Sequence, residues 1–281
     1  MIPLLECRDV TKRYGGVTAL DAVSFTVGDE EIVGVIGANG AGKTTAFDAI
    51  SGFVNPDGGE IWLRSADGSP VDLASLPPHR RAGLGVGRTF QNARLFGSLT
   101  VLETLKTVQH TRSHRGFWAS VLGIGASEEK DISDRAHDVL GVVGLQDHLD
   151  KPVQELSYGM LRLCELACVV ALAPRLLLLD EPSSGMAQKE VEALGPILDS
   201  IRGRLAASVV LVEHDMPFVL GLSHRLVAMA KGTVIAEGRP QDVITDPAVI
   251  ESYLGDAWVK QNAPAAKPRR ASQAKKGAVR A

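Results

Sequence analysis

The sequence predicts an α/β fold built on a mainly parallel sheet, with an antiparallel β part at the N-terminus and an inserted α-helical subdomain. Three observations carry that prediction. First, Glu31–Ile36, Leu176–Leu179 and Ser208–Val212 are short apolar runs without alternation, as expected of strands buried on both faces. Second, Val191, Leu194, Leu198, Ile201 and Leu205 recur at helical spacing between the last two runs, so strands alternate with helices. Third, the pattern changes between about Gln91 and Pro152, where helical periodicity replaces strands.

Taken in order, Leu4–Val10 and Ala22–Val27 alternate apolar and polar residues as half-buried strands do, with Thr11–Gly16 between them reading as a turn that presents Tyr14. Asn55-Pro56-Asp57-Gly58-Gly59 is a strong break, and Glu60–Leu63 a short strand after it. Leu84–Phe90 is a further apolar piece. In the helical part, one helix runs from about Leu99 towards His110, and Ile132, Ala136, Val139, Leu140 and Val143 mark a second. A helix over Tyr158–Ala173 leads into the Leu176 run. The domain reading is a core of residues 1–90 and 153–255, a helical subdomain at 91–152 and a basic, aperiodic tail at 256–281 that reads as disordered.

Composition narrows the function classes. No apolar run reaches the roughly 18 residues that span a bilayer, and the N-terminus has no basic region followed by an apolar stretch. Cys7, Cys164 and Cys168 lack metal-ligand spacing, and Cys164 and Cys168 fit one buried helix face. These features predict a reduced, cytosolic chain. The net charge of −3 hides an asymmetry, because Lys260–Ala281 holds seven basic and no acidic residues. A body so acidic is not built for nucleic acid. Arg112–Trp118 interleaves basic and aromatic residues, and it reads as a solvated loop or a protein contact.

The chemistry centres on Gly37-Ala38-Asn39-Gly40-Ala41-Gly42-Lys43-Thr44, followed by Thr45, which fits the phosphate-binding loop pattern between a strand and a helix. Glycines let backbone N–H groups turn onto an anion, and the helix N-terminus adds partial positive charge. Lys43 suits the β/γ-phosphates and Thr44 suits Mg²⁺. The fold prediction is therefore a P-loop NTPase core, open at this point to kinases, GTPases and motors. Asp180, closing an apolar strand, suits a carboxylate that holds Mg²⁺ through water, and Glu181 suits a general base. His214, after the last run, could sense a γ-phosphate, although alone it reads as a surface histidine capping the next helix; Gln91 alone means little.

Order and spacing decide more than any single motif. Tyr14, the loop at 37–44, Gln91, Leu156-Ser157-Tyr158-Gly159, Asp180-Glu181-Pro182 and His214 occur in the order typical of ABC ATPases, and over about residues 4–255 the chain resembles an ABC transporter nucleotide-binding subunit. The resemblance implies that Tyr14 stacks on the adenine of ATP. Gln91 would lie near Mg²⁺ and the attacking water. Ser157 and Gly159 would reach the γ-phosphate held by a partner, with Ser184-Gly185-Met186 linking the two sites. Tyr158 and Met160 depart from the usual Leu-Ser-Gly-Gly-Gln. Arg88-Thr89-Phe90-Gln91, Arg94-Leu95-Phe96 and Ile250–Gly255 further resemble the ATPase of branched-chain amino acid importers. That implies ATP and Mg²⁺ as cofactors and a second, different ATPase subunit as partner. It also implies two integral permeases, an external solute-binding protein, and a place on the cytoplasmic face of the inner membrane. Importers of urea, amides or aromatic acids, and a non-transport ABC switch, are the alternatives.

Overall fold

The unbroken apolar runs form the middle layer. The computed structural model describes residues 2–90, 95–110 and 126–254. β3 (Ile32–Ile36), β7 (Leu176–Asp180) and β8 (Ser208–Val212) are buried at every position. They run parallel with β6 (Val86–Arg88) and β9 (Arg225–Ala230), while β10 (Thr233–Gly238) pairs antiparallel at the edge; the order is β10-β9-β3-β8-β7-β6.

Successive residues of these strands feed two cores. Ile32, Leu177, Leu179, Val209 and Leu211 pack with helices on one face. Val33, Val35, Leu176, Leu178, Val210 and Val212 pack on the other with α1 (Lys43–Ser51) and a second sheet. Burial on both faces explains why no alternation shows in the sequence.

That second sheet is antiparallel, ordered β2-β1-β4-β5, from β1 (Leu5–Tyr14), β2 (Val17–Val27), β4 (Gly58–Arg64) and β5 (Pro70–Asp72). Here the structure corrects the expected turn over Thr11–Gly16. β1 continues through Tyr14, paired with Val17, and the turn is only Gly15-Gly16. Polar residues can stay in the ladder because this end is solvated, and because Asp57 holds it. The Asp57 carboxylate accepts from the Arg13 N–H at 2.7 Å and from Lys12 Nζ at 2.9 Å.

The helical face comprises α3 (Val101–His110), α4 (Ala126–Val143), α5 (Tyr158–Val170), α6 (Gln188–Leu205) and α7 (Met216–Leu222). Ile132, Ala136, Leu140 and Val143 are buried along α4, with Val139 partly buried against the same cluster. Val191, Leu194, Leu198 and Ile201 are buried along α6. Cys164 and Cys168 lie buried in α5, as free thiols. The chain then closes through Tyr253, packed against the cluster that includes Val243, Ile244 and Val249. No helix among the described residues is long and apolar enough to cross a membrane. The Arg112–Trp118 stretch and the tail from Lys260 lie outside the described residues.

One buried charge braces the loop-bearing helix. Arg81 in α2 (Pro78–Gly83) is fully buried. Its guanidinium donates to the Ala49, Ile50 (2.9 Å) and Leu76 (2.7 Å) carbonyls. It thereby satisfies the last carbonyls of α1 and places positive charge where the helix dipole favours it. Arg81→Met should leave those acceptors dry and destabilise the fold by about 3 kcal/mol. Urea unfolding would measure this, and a loss below about 0.5 kcal/mol would contradict the brace.

Candidate functional site

The loop between β3 and α1 is shaped by backbone pressing on it from two sides. A Cβ on Gly37 would lie 2.2 Å from the Met229 carbonyl oxygen of β9. One on Gly42, whose φ is +103°, would lie 2.6 Å from the Ala19 carbonyl oxygen of β2. Only glycine fits either place. Ala38, Asn39 and Gly40 are exposed at the mouth, and Ala41 is buried beneath them. Gly42 caps α1 without a side chain, which leaves first-turn N–H groups pointing at the mouth, with Thr44 exposed and Thr45 half-buried beside them. Lys43 is only 6% exposed, and its Nζ donates to the carbonyls of Gly37 (2.7 Å) and Ala38 (3.1 Å). Burial lowers its pKa, opposed by the nearby Glu181 and Asp180 carboxylates.

Asp180, at the C-terminal end of β7, is 5% exposed. Burial raises its pKa, while the Arg88 guanidinium, 3.6 Å from Oδ2, works the other way. Its Oδ1 is buried without a hydrogen-bond partner. An orphaned carboxylate oxygen together with an exposed threonine hydroxyl is a donor set that suits a hydrated Mg²⁺. Glu181 adopts a left-handed backbone, φ +50°, rare for a residue with a side chain, and its N–H donates to the Val212 carbonyl at 2.9 Å. Its Oε1 lies 3.0 Å from His214 Nε2. The predicted Lys43, Asp180, Glu181 and His214 thus come together at the carboxyl ends of parallel strands, where α/β sheets bind ligands.

Tyr14 lies at the tip of the β1–β2 hairpin, 49% exposed, with Lys12 Nζ 5.5 Å from its ring centroid. Ser157 caps α5 by accepting from the Met160 N–H at 3.3 Å, which leaves its own O–H free to donate. Gly159 is buried against Glu190 of α6. Gln91 lies outside the described residues, but Arg88 just before it is a hub. The guanidinium donates to Asp48 Oδ1 (2.6 Å) and Ser51 Oγ (2.8 Å), both on α1. It is also ringed by Phe47, Phe53 and Phe90 at 5.8, 5.7 and 5.2 Å.

Sequence reasoning missed Glu213. It is 3% exposed and accepts from the Ser183 N–H at 2.7 Å and the His214 N–H at 2.9 Å. It therefore ties the loop after β7 to the loop after β8. An acid directly after the four apolar residues Val209–Val212 was the available signal, read only for Asp180-Glu181.

Comparison with known proteins fits this geometry. Residues 20–184 match the family model described as ABC transporter, and residues 233–259 match one described as branched-chain amino acid ATP-binding cassette transporter. The chain is 38% identical over 257 residues to the high-affinity branched-chain amino acid transport ATP-binding protein LivG of Salmonella typhimurium, covering 91% of this chain and 99% of that one. It is 37% identical over 257 residues, with the same coverage, to the corresponding protein BraF of Pseudomonas aeruginosa. A crystal structure of an ATP-binding cassette of an ABC transporter in its ADP conformation superposes with a TM-score of 0.77 at 26% identity, covering 91% of this chain and all of that one. The nucleotide-loop geometry and these matches together make the chain a member of the ABC transporter ATP-binding family.

Proposed function

We propose that this protein is the ATP-hydrolysing subunit of an importer for branched-chain or related amino acids. The observation that carries the reading is the convergence of Lys43, Asp180, Glu181 and His214 beside the loop at 37–44. The amino-acid assignment rests on the relatives' specificity and on the C-terminal match.

In this reading the loop from Gly37 to Gly42, with Lys43, Thr44 and Thr45, cradles the phosphates of ATP, and Tyr14 stacks on adenine. Thr44, Gln91 and, through water, Asp180 would hold Mg²⁺, which would neutralise phosphate charge. Glu181 takes the proton of the attacking water, and His214 orients it. Ser157 and Gly159 complete a partner subunit's site across a head-to-tail dimer, the partner being a different ATPase chain. Residues 1–90 and 153–255 form the nucleotide-binding core. The segment 91–152 docks on two integral permeases at the cytoplasmic face of the membrane, fed by an external solute-binding protein.

Purification of the tagged full-length chain from membranes tests this assembly. Two integral permeases and a second ATPase should accompany it in stable stoichiometry. Recovery with soluble proteins alone would instead favour the non-transport switch. The ligand of the cognate binding protein then decides between branched-chain amino acids and another small polar solute.

A further inference from the structure

Tyr158 stands where the family pattern usually has glycine, and its surroundings are built around it. Its hydroxyl accepts from Arg162 Nη2 at 2.6 Å, one helical turn on, and the guanidinium lies 5.0 Å from its ring centroid. The ring lies against Gly185 in the loop after β7. A Cβ on that glycine would come within 2.6 Å of the ring, and its φ is +76°. The next residue repeats the contact, since a Cβ on Gly159 would meet the Glu190 carboxylate at 2.2–2.4 Å. Glu190 in turn accepts from the Ala187 N–H at 2.8 Å. The start of α5 therefore seats on residues 185–190.

Arg162 extends this seat in the other direction. Its side chain is 12% exposed, and its Nη1 donates to the Phe90 carbonyl at 3.3 Å and to Glu165 Oε2 at 2.8 Å. The Phe90 ring meets Phe53 edge-on at 5.3 Å and lies beside the Arg88 guanidinium. Arg88 in turn is bonded to Asp48 and Ser51 of α1. Contacts thus run unbroken from the helix that carries Lys43, through Phe90, to the signature segment Leu156–Gly159 and the loop at 183–187.

We infer that Tyr158 and Arg162 are positioning residues that fasten the segment entering Gln91 to the loop at 183–187. This rests on the paired-site reading above. A glycine at 158 could make neither the hydroxyl bond nor the ring contact, so the substitution exchanges a flexible signature for a braced one.

The test uses the full-length chain carrying Glu181→Gln, with ATP-driven association followed by sedimentation velocity. Tyr158→Phe and Arg162→Met should each weaken association about 5–20-fold, the loss of roughly one charge-assisted hydrogen bond. The double variant should be no weaker than the worse single, because both break one connection. Arg162→Lys should recover part of the loss, and ADP affinity by calorimetry should not change. Unchanged association, or additive losses, would overturn the inference. If the Glu181→Gln parent stays monomeric with ATP, the paired-site reading fails by itself. The connection is then judged by hydrogen exchange in the monomer. Faster exchange confined to residues 183–187 in Arg162→Met supports it, and unchanged exchange there overturns it.

Discussion

Lys43→Ala should lower nucleotide affinity by about two orders of magnitude, and the reason lies in where the ammonium already sits. Its Nζ is buried and donates to two loop carbonyls, Gly37 and Ala38, so the charge is held over the cradle before any ligand arrives. A preorganised ammonium loses little entropy when it turns to a phosphate oxygen. Charge-assisted bonds of this kind contribute about 1.5–3 kcal/mol each, and a single lost site worth about 2.7 kcal/mol corresponds to roughly 100-fold in Kd. Burial lowers the lysine pKa, but the nearby Asp180 and Glu181 carboxylates oppose that shift. Calorimetric titration with ADP and with ATP measures the effect. Affinity within about twofold of wild type would remove Lys43 from the phosphate site.

How much of this was readable beforehand follows from what each segment packs against. β3, β7 and β8 were legible because burial on both faces leaves an unbroken apolar run. α4 and α6 were legible because each presents one stripe to a core. The end of β1 was not, since Thr11, Lys12 and Arg13 carry no apolar pattern and are held by Asp57, more than forty residues on. Arg81 reads as surface charge in Pro-Pro-His-Arg-Arg, and only the third dimension puts it under the carbonyls of α1. β9 was different, because Leu226–Ala230 is an apolar run that could have been read as a strand.

The site divides the same way. The phosphate loop was explicit because its chemistry is local, a run of backbone groups with one lysine. The Glu181–His214 pair needed order and spacing, because its two members close different strands. Glu213 and the seat of Tyr158 on Gly185 stayed hidden, since each links segments whose juxtaposition no local pattern encodes.

The second large effect concerns Glu181, and the backbone around it supports a chemical role. A non-glycine residue at φ +50° carries strain of about 1–3 kcal/mol, which persists only where the surroundings impose it. Here the N–H is pinned to the Val212 carbonyl, and the side chain meets His214 Nε2. A neutral imidazole donating from Nε2 to the carboxylate leaves Nδ1 as an acceptor, so the pair sets the histidine's tautomer as well as its direction. Glu181→Gln keeps the backbone, the volume and an acceptor oxygen for that N–H. It changes chiefly the basicity, so the fold and ATP affinity should persist while turnover falls about 10²–10⁴-fold, the range of a lost general base. Single-turnover hydrolysis beside equilibrium ATP binding separates the two effects. If hydrolysis survives within about threefold, the base lies elsewhere and Glu181 only positions His214. His214→Ala then tells the alternatives apart. A positioning pair predicts a large loss from His214→Ala beside little loss from Glu181→Gln, whose amide oxygen still accepts from the imidazole, whereas a base oriented by histidine predicts the larger loss from Glu181→Gln.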